Sequence, residues 1–129
     1  MLHLRLDNIE ATPKHTMKLF YTVIFFSLLA SAAFARGESI LARVTSYWAG
    51  EGSKYASTGR RLHSGHCAVD PKRIPDGSKV VFPDRACTAV DTAPAVISRK
   101  AARLCGRTAS QLKAIVVDRF FETKREAMA

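Results

Sequence analysis

The chain has 129 residues, with 20 lysines and arginines against 11 aspartates and glutamates, and a formal net charge of +9. This length supports one small domain with one hydrophobic core and excludes a multidomain protein. The charge favours an anionic partner, or serves solubility alone. The sequence has neither a basic-aromatic platform nor a DNA-reading helix motif, so nucleic acid is not the expected partner.

The N-terminal part of the chain is predicted to lie outside the folded domain. Residues 17–35 have the form of a secretory signal peptide, with a short basic start, an apolar stretch and a small-x-small cleavage site at residues 33–35. The apolar stretch is shorter than a bilayer span, which favours a cleaved signal over a retained membrane anchor. Residues 1–16 resemble neither a signal nor a domain, and we interpret them as an over-extended start. The sequence therefore predicts export to the periplasm, the cell envelope or the medium, with no membrane span after cleavage.

Short apolar runs separated by turn residues predict a mainly β domain with little helix. Residues 36–43 are expected to be a linker that leads into the first strand, and the domain is expected to span residues 44–129. The predicted strands occupy residues 40–48, 67–69, 79–82, 86–90 and 113–117. Helical segments are predicted within residues 98–112 and 122–128, and a loop rich in Gly, Ser and Thr at residues 49–65. Closely spaced short strands favour a small barrel over a sandwich.

Three cysteines, Cys67, Cys87 and Cys105, would enter an oxidising compartment after export. Three cysteines are most simply accommodated as one disulfide and one free thiol. We predict that Cys87 pairs with Cys105, because this bond would close the segment between two aspartate motifs. The sequence alone does not fix the pairing.

Asp70, Asp91 and Asp118 each follow an apolar, β-branched run, so each is expected at or near the end of a buried strand. Three such carboxylates in one cleft would crowd like charges and raise at least one pKa, which would make a general acid usable near neutral pH. Asp70 before Pro71, and Asp91 before Thr92, could instead cap turns. Asp118 has apolar neighbours on both sides, and a carboxylate there needs a partner or a purpose.

The motifs around these aspartates occur in a particular order along the chain. They are Val-Thr-Ser-Tyr at 44–47, Thr-Gly at 58–59, Ala-Val-Asp-Pro at 68–71, Ile-Pro-Asp-Gly-Ser-Lys-Val at 74–80, Ala-Val-Asp-Thr at 89–92, Val-Asp-Arg-Phe-Phe at 117–121 and Glu-Ala at 126–127. In this order they resemble the three-aspartate (3D) domain, a double-psi β-barrel found in membrane-bound lytic transglycosylase A and in small secreted or spore-related cell-wall enzymes. The resemblance implies a six-stranded double-psi barrel with short helices.

Two features depart from the family pattern. The segment after Asp91 lacks the family's glycines, and the third aspartate follows much later, so residues 98–112 are an insertion over or beside the cleft. The family also continues past its Glu-Ala pair into a last strand, whereas this chain ends at Ala129. A barrel without that strand would have an unpaired edge unless a partner completed it.

The resemblance implies an exported lytic transglycosylase, which cleaves the β-1,4 bond between N-acetylmuramic acid and N-acetylglucosamine in peptidoglycan and leaves a 1,6-anhydro product. By position, Asp118 would be the acid/base, Asp91 its electrostatic neighbour and Asp70 a supporting residue. The expected partners are glycan strands, bound by a monomer without cofactor or metal. The alternative is a non-catalytic module that binds glycan or an envelope partner on the same fold.

Aromatic and hydroxyl side chains complete the predicted site. Tyr47 and Trp48 could line a sugar subsite or pack in the core. Thr45 and Thr58 could contact the sugar or hold the strand and loop. Two weaker alternatives rest on the segment at residues 63–67, where two histidines precede a cysteine. They could ligate zinc, but no second cluster completes the usual pattern, and a cysteine nucleophile with an adjacent histidine base is equally atypical.

Overall fold

The computed structural model describes residues 1–7 and 37–129. Six strands lie within these ranges: β1 (Leu2–Asp7), β2 (Glu38–Trp48), β3 (His66–Ala68), β4 (Lys79–Val81), β5 (Ala86–Asp91) and β6 (Ile115–Phe121). They form a closed barrel in the order β1-β2-β6-β3-β5-β4. The predicted small, mainly β barrel with short helices is confirmed.

The barrel mixes parallel and antiparallel pairs, which is compatible with a double-psi topology. β2 pairs with β6 in parallel, and β3 pairs with β5 in parallel. The remaining neighbours, including β3 with β6 and β4 with β5, are antiparallel. The parallel pairs join strands that are not consecutive in the chain, because parallel strands cannot be joined by a hairpin turn.

Four short helices of the described residues pack on the outside of the barrel: α1 (Pro94–Ile97), α2 (Lys100–Cys105), α3 (Ala109–Lys113) and α4 (Lys124–Met128). The second and third fall in or at the end of the predicted insertion at residues 98–112, whereas α1 precedes it and was not predicted. The last begins with a capping box, in which Thr123 and Glu126 satisfy each other's backbone N–H groups. None of the helices in residues 1–7 and 37–129 is long and apolar enough to cross a membrane.

The barrel interior is the main hydrophobic core. Every strand contributes at least one residue that is almost fully buried there: Leu4, Ala42, Cys67, Val80, Cys87, Ala89 and Val117. Alternate residues of a strand point to opposite faces. The outer face of β2 and β6 therefore carries a second set of side chains, which meets the insertion helices and the loop at residues 49–65.

The first strand differs from what the sequence analysis predicts. Residues 1–16 are expected outside the domain, whereas β1 pairs with β2 and with β4 and so closes the barrel. Leu4 is fully buried and Leu6 packs against the core. The sequence Leu2-His3-Leu4-Arg5-Leu6 alternates apolar and polar residues, which is a strand pattern. The expected open edge is therefore absent from the described barrel, while the predicted signal peptide at residues 17–35 lies outside the described residues.

The predicted disulfide is also not formed. Cys67, Cys87 and Cys105 are all free thiols in the structure. Cys87 points into the barrel core, whereas Cys105 is exposed at the end of α2. The two residues therefore lie on opposite sides of the barrel wall, because the insertion folds over the outer face.

Candidate functional site

Two of the three aspartates come together on the outer face of the barrel. Ala68 on β3 pairs with Asp118 on one side and with Asp91 on the other. Two strand spacings, about 10 Å between Cα atoms, thus separate the aspartates. Ala68, between them, is almost fully buried and belongs to the hydrophobic cluster under the helices. Asp91 ends β5 as predicted, but Asp118 lies in the middle of β6 rather than at its end.

Asp118 occupies the most unusual electrostatic position of the site. It is half-buried, and the hydroxyl of Thr45, its register partner on β2, donates a hydrogen bond to its Oδ1 atom at 2.7 Å. Burial raises the pKa of the Asp118 carboxyl above its usual value. The Thr45 hydrogen bond opposes this rise in pKa, while the negative charges of Glu51 and Asp91 add to it.

Asp91 is held by three donors. The Tyr47 hydroxyl donates to its Oδ2 atom at 2.9 Å, and the backbone N–H groups of Ser57 and Thr92 donate to Oδ1 at 2.8 Å each. Burial and the bond to Asp91 raise the pKa of Tyr47 above its usual value, so the phenol stays a donor at neutral pH. Three donors on two oxygen atoms fix the orientation of the carboxylate.

The loop at residues 49–65 covers one end of this site. The hydroxyl of Thr58 donates to the Val90 carbonyl oxygen at 3.0 Å and ties the loop to β5 beside Asp91. The next residue, Gly59, has a φ of 83°, a conformation that favours glycine. Thr58 thus holds the loop and, through it, the Ser57 N–H group that binds Asp91.

The insertion borders the other end of the site. Helices α1 and α2 pack on the outer face of β6, where Val96 and Ala102 bury themselves against Val116. A cavity of about 320 Å³ opens between the helices and the barrel. Thr45, Val116 and Asp118 form its barrel side. The insertion therefore lines an approach to Asp118.

The cavity beside Asp118 is not the one with the largest volume. A larger cavity of about 730 Å³ lies beside β1, near His3, Arg5 and Phe82, and none of the described residues that line it carries a carboxylate. The cavity at Asp118 is at the lower end of the range for small-ligand pockets, about 300–1,000 Å³. We select it because it combines apolar walls with a titratable group whose pKa is shifted.

Asp70 and Trp48 are not brought into this arrangement. Asp70 accepts a hydrogen bond from the Lys72 N–H group at 3.0 Å, and its carbonyl accepts from two further N–H groups, so it closes the turn that follows β3. This is the turn-capping alternative. Trp48 follows Tyr47 on β2 and so points to the other face, where the Lys124 ammonium lies 5.7 Å from its ring centroid.

The sequence analysis misses Glu51 as the third carboxylate of the site. Glu51 acts on the pKa of Asp118, whereas Asp70 does not figure among the groups that shift it. The sequence offers one indication that Glu51 belongs to the site. Glu51 lies between two glycines, Gly50 and Gly52, shortly after the aromatic end of β2. The insertion that contributes α2 is predicted beside the cleft, whereas α1, the other wall, is not predicted.

The segment at residues 63–67 has a structural role. The rings of His63 and His66 stack with centroids 3.7 Å apart, and His66 is buried. Cys67 faces the barrel core near Cys87, and burial raises the pKa of its thiol, which is unfavourable for a nucleophile. Within residues 1–7 and 37–129, no three His, Cys, Asp or Glu side chains are grouped so that they could hold a metal ion.

Comparison with known proteins does not assign the chain to a family. A scan against protein-family models finds no match to the chain, and a search of curated proteins finds no significant match. The function must therefore be argued from the chemistry of the site.

Proposed function

We propose that this protein is a peptidoglycan-cleaving enzyme of the lytic transglycosylase type, on a barrel of the three-aspartate kind, with Asp118 as its acid/base. The observation that carries the proposal is the position of Asp118 on the rim of a mainly apolar cavity, half-buried, with the negative charges of Asp91 and Glu51 acting on its pKa. A carboxyl group whose pKa is raised in this way keeps its proton at a higher pH than an exposed aspartate does.

A single such group suffices for the proposed reaction. Asp118 would donate its proton to the glycosidic oxygen as the bond from that oxygen to the anomeric carbon breaks. The C6 hydroxyl of the same sugar would attack the anomeric carbon and return its proton to Asp118. The attacking hydroxyl is part of the substrate, so no second carboxylate is needed to activate water. The product is a 1,6-anhydro sugar, and the acid form of Asp118 is restored.

The neighbouring groups support this cycle. The carboxylates of Asp91 and Glu51 raise the pKa of Asp118 and would stabilise positive charge on the sugar ring as the bond breaks. Thr45 orients the Asp118 carboxyl through the 2.7 Å hydrogen bond. Tyr47 orients Asp91. Asp70 would act only through the turn that it closes, as a supporting residue.

The proposed substrate requires an exported protein, which accords with the signal peptide predicted from the sequence. The formal charge of +9 suits an anionic cell envelope. Cleavage after residue 35 would also remove β1, which closes the barrel between β2 and β4. Assays should therefore compare the full chain with residues 36–129.

Mass spectrometry of the products released from purified peptidoglycan tests the proposal. We expect 1,6-anhydro-muropeptides from the wild type and none from Asp118→Asn. Products with reducing ends would mean that water is the nucleophile, as in a hydrolase. Retention of glycan by folded protein without any release would instead identify the non-catalytic binding module.

A further inference from the structure

The segment that forms α1, α2 and α3 is strongly basic. Residues 92–117 contain no aspartate or glutamate, and their basic residues are Arg99, Lys100, Arg103, Arg107 and Lys113. All of these side chains except that of Arg99 are exposed, and none of the exposed ones has an ion-pair partner within residues 1–7 and 37–129. The helices therefore add uncompensated positive charge to the outer face of β2 and β6, on which they pack.

Exposed aliphatic side chains accompany these charges. Leu104 of α2 is 73% exposed, Ile97 of α1 is 48% exposed and Leu112 of α3 is 42% exposed. Single exposed apolar residues are normal on a protein surface, but here each of three adjacent short helices exposes one. Residues 92–117 include no aromatic residue. The surface therefore combines cations with aliphatic side chains and offers no ring on which a nucleic-acid base could stack.

A cavity brings the most exposed leucine together with two arginines. It measures about 560 Å³, and its lining includes Leu104, Arg43 and Arg107 but no acidic side chain among the described residues. Leu104 also lines the cavity beside Asp118, where Lys100 is the neighbouring cation. Leu104 thus has a cationic side chain near it in each of the two cavities. We call Arg43, Lys100, Leu104 and Arg107 the basic-apolar patch.

We propose that the basic-apolar patch is a docking surface for a bilayer that contains anionic phospholipid, an inference that goes beyond the proposed cleavage. Anionic headgroups attract lysine and arginine side chains near the membrane surface. The boundary between headgroups and acyl chains would receive Leu104, whose side chain gains from leaving water. A soluble polyanion would bind the cations but would leave this leucine in water. The cavity beside Asp118 would then open next to the membrane surface, because Lys100 and Leu104 line it.

Cys105 supplies a reporter next to the patch. It is exposed and lines both cavities, whereas Cys67 and Cys87 are buried in the barrel core. Burial raises the pKa of both core thiols, so a maleimide reagent should label Cys105 selectively in the folded protein. An environment-sensitive fluorophore on Cys105 then reports whether the patch itself enters the headgroup region. This local readout is needed because the apolar stretch within residues 17–35 could also bind lipid.

The test adds vesicles to the labelled full chain and records the emission of the fluorophore. We expect vesicles of equal parts phosphatidylcholine and phosphatidylglycerol to shift the emission to the blue, and vesicles of phosphatidylcholine alone to leave it unchanged. About 0.5 M sodium chloride should weaken the shift, because salt screens the attraction between exposed charges. The inference would be overturned by equal shifts with both kinds of vesicle. It would also be overturned by sedimentation of the chain with anionic vesicles without any shift, because another part of the chain would then bind them.

Leu104 and Met128 supply a matched pair of apolar variants. Their side chains are 73% and 72% exposed, but Met128 lies on α4 and lines neither cavity. Both substitutions to serine should be tolerated, because neither side chain is buried. Leu104→Ser should raise the lipid concentration needed for the half-maximal shift about tenfold, and Met128→Ser should leave it unchanged. Equal lipid affinity of the two variants would mean that charge alone governs binding, as for a soluble polyanion, and would overturn a bilayer as the partner.

Arg107 and Arg125 supply a matched pair of charge variants. Both side chains are exposed, and substitution by glutamine removes the same charge from each. Arg107→Gln should weaken binding to the anionic vesicles about fivefold, the effect of one basic residue near an anionic surface. Arg125→Gln on α4 should weaken it less. Equal losses would mean that net charge rather than the patch attracts the chain to lipid. None of these readouts requires bond cleavage, so the docking surface and the proposed cleavage are tested separately.

Discussion

Asp118 and Arg119 are neighbours on β6, point to opposite faces of the barrel wall and enter two different electrostatic environments. Asp118 accepts a hydrogen bond from Thr45 on the outer face, and the charges of Glu51 and Asp91 act on its pKa. Arg119 donates hydrogen bonds to both carboxylate oxygens of Asp84, at 3.0 and 2.9 Å. The hydrogen bond from Arg119 lowers the pKa of Asp84, whereas burial raises that of Asp118.

The two faces of β6 differ in the charge state that they favour. The ion pair with Arg119 stabilises the charged form of Asp84, whereas the surroundings of Asp118 favour the protonated form that a general acid requires. The Arg119 guanidinium also lies over the rings of Phe82 and Phe121, 4.4 and 5.3 Å from their centroids. Asp84 thus completes a packed cluster of fixed charge. The negative charges of Asp91 and Glu51 favour the neutral form of Asp118.

The largest difference between the two aspartates is expected in catalysis. Asp118→Asn removes the transferable proton, and general acid/base catalysis contributes about 10²- to 10⁴-fold in rate, so release of anhydro products should fall by at least that range. Asp84→Asn is the matched control and should retain the wild-type rate. The measurement is the initial rate of product release at equal protein concentration. Equal losses of rate in the two variants would mean that Asp118 has no catalytic role that Asp84 lacks.

The next largest expected effect is on the free energy of unfolding, and it concerns Arg119 on the opposite face of β6. The Arg119 side chain is only 12% exposed, so Arg119→Ala loses both packing and the interaction with two aromatic rings. We expect the free energy of unfolding to fall by about 2–3 kcal/mol in urea denaturation. Asp84 is 55% exposed, and solvent screens its ion pair, so Asp84→Asn should cost less than about 1 kcal/mol. Equal losses would mean that the ion pair, rather than packing, dominates.

A third prediction concerns two variants that should shift the pH dependence of activity in opposite directions. Activity that needs a protonated Asp118 declines as the pH rises through its pKa. Thr45→Val removes the hydrogen bond that lowers this pKa, so activity should persist to higher pH. Asp91→Asn removes a neighbouring negative charge, so activity should decline at lower pH. A pH profile of the residual rate tests both shifts, and shifts in the same direction would refute the assignment.

The smallest predicted effect is on stability as a function of pH. The pKa of Asp118 is raised on folding, so its contribution to stability is fully present below the unfolded value of about 3.9 and is lost as the pH rises through the folded pKa. Asp84 has the opposite sign, and its contribution is lost as the pH falls through its lowered pKa. Asp118→Asn should therefore raise the melting temperature at pH 7 but not at pH 3. A lower melting temperature at pH 7 would contradict this sign.

Local patterns were enough to predict the barrel and part of its site. The strands follow from short apolar runs, and Asp91 does end one of them, although β6 runs past Asp118. The alternation of apolar and polar residues in β1 is a strand pattern, but it is short and precedes the signal-like segment at residues 17–35, which favours the opposite interpretation. The turn at Asp70 was visible in the sequence because a local hydrogen bond defines it.

Other features depend on register and on long-range packing. Thr45 and Asp118 are 73 positions apart, and only the parallel pairing of β2 with β6 places them opposite each other. Glu51 reaches the site through a loop, and loops have no period from which orientation can be read. The Cys87–Cys105 pairing failed for a similar reason, since the sequence does not say which face of the wall each cysteine occupies.

The most direct test of the central claim is a titration of the carboxyl groups of Asp118 and Asp84 in the same folded protein, by carbon-13 NMR of aspartate side chains. The variants Asp118→Asn and Asp84→Asn assign the two signals. The account predicts that Asp118 titrates above the ordinary aspartate value of about 3.9 and that Asp84 titrates below it. A pKa for Asp118 at or below that of Asp84 would contradict the account, because the proposed acid would then hold its proton no better than a carboxylate in an ion pair.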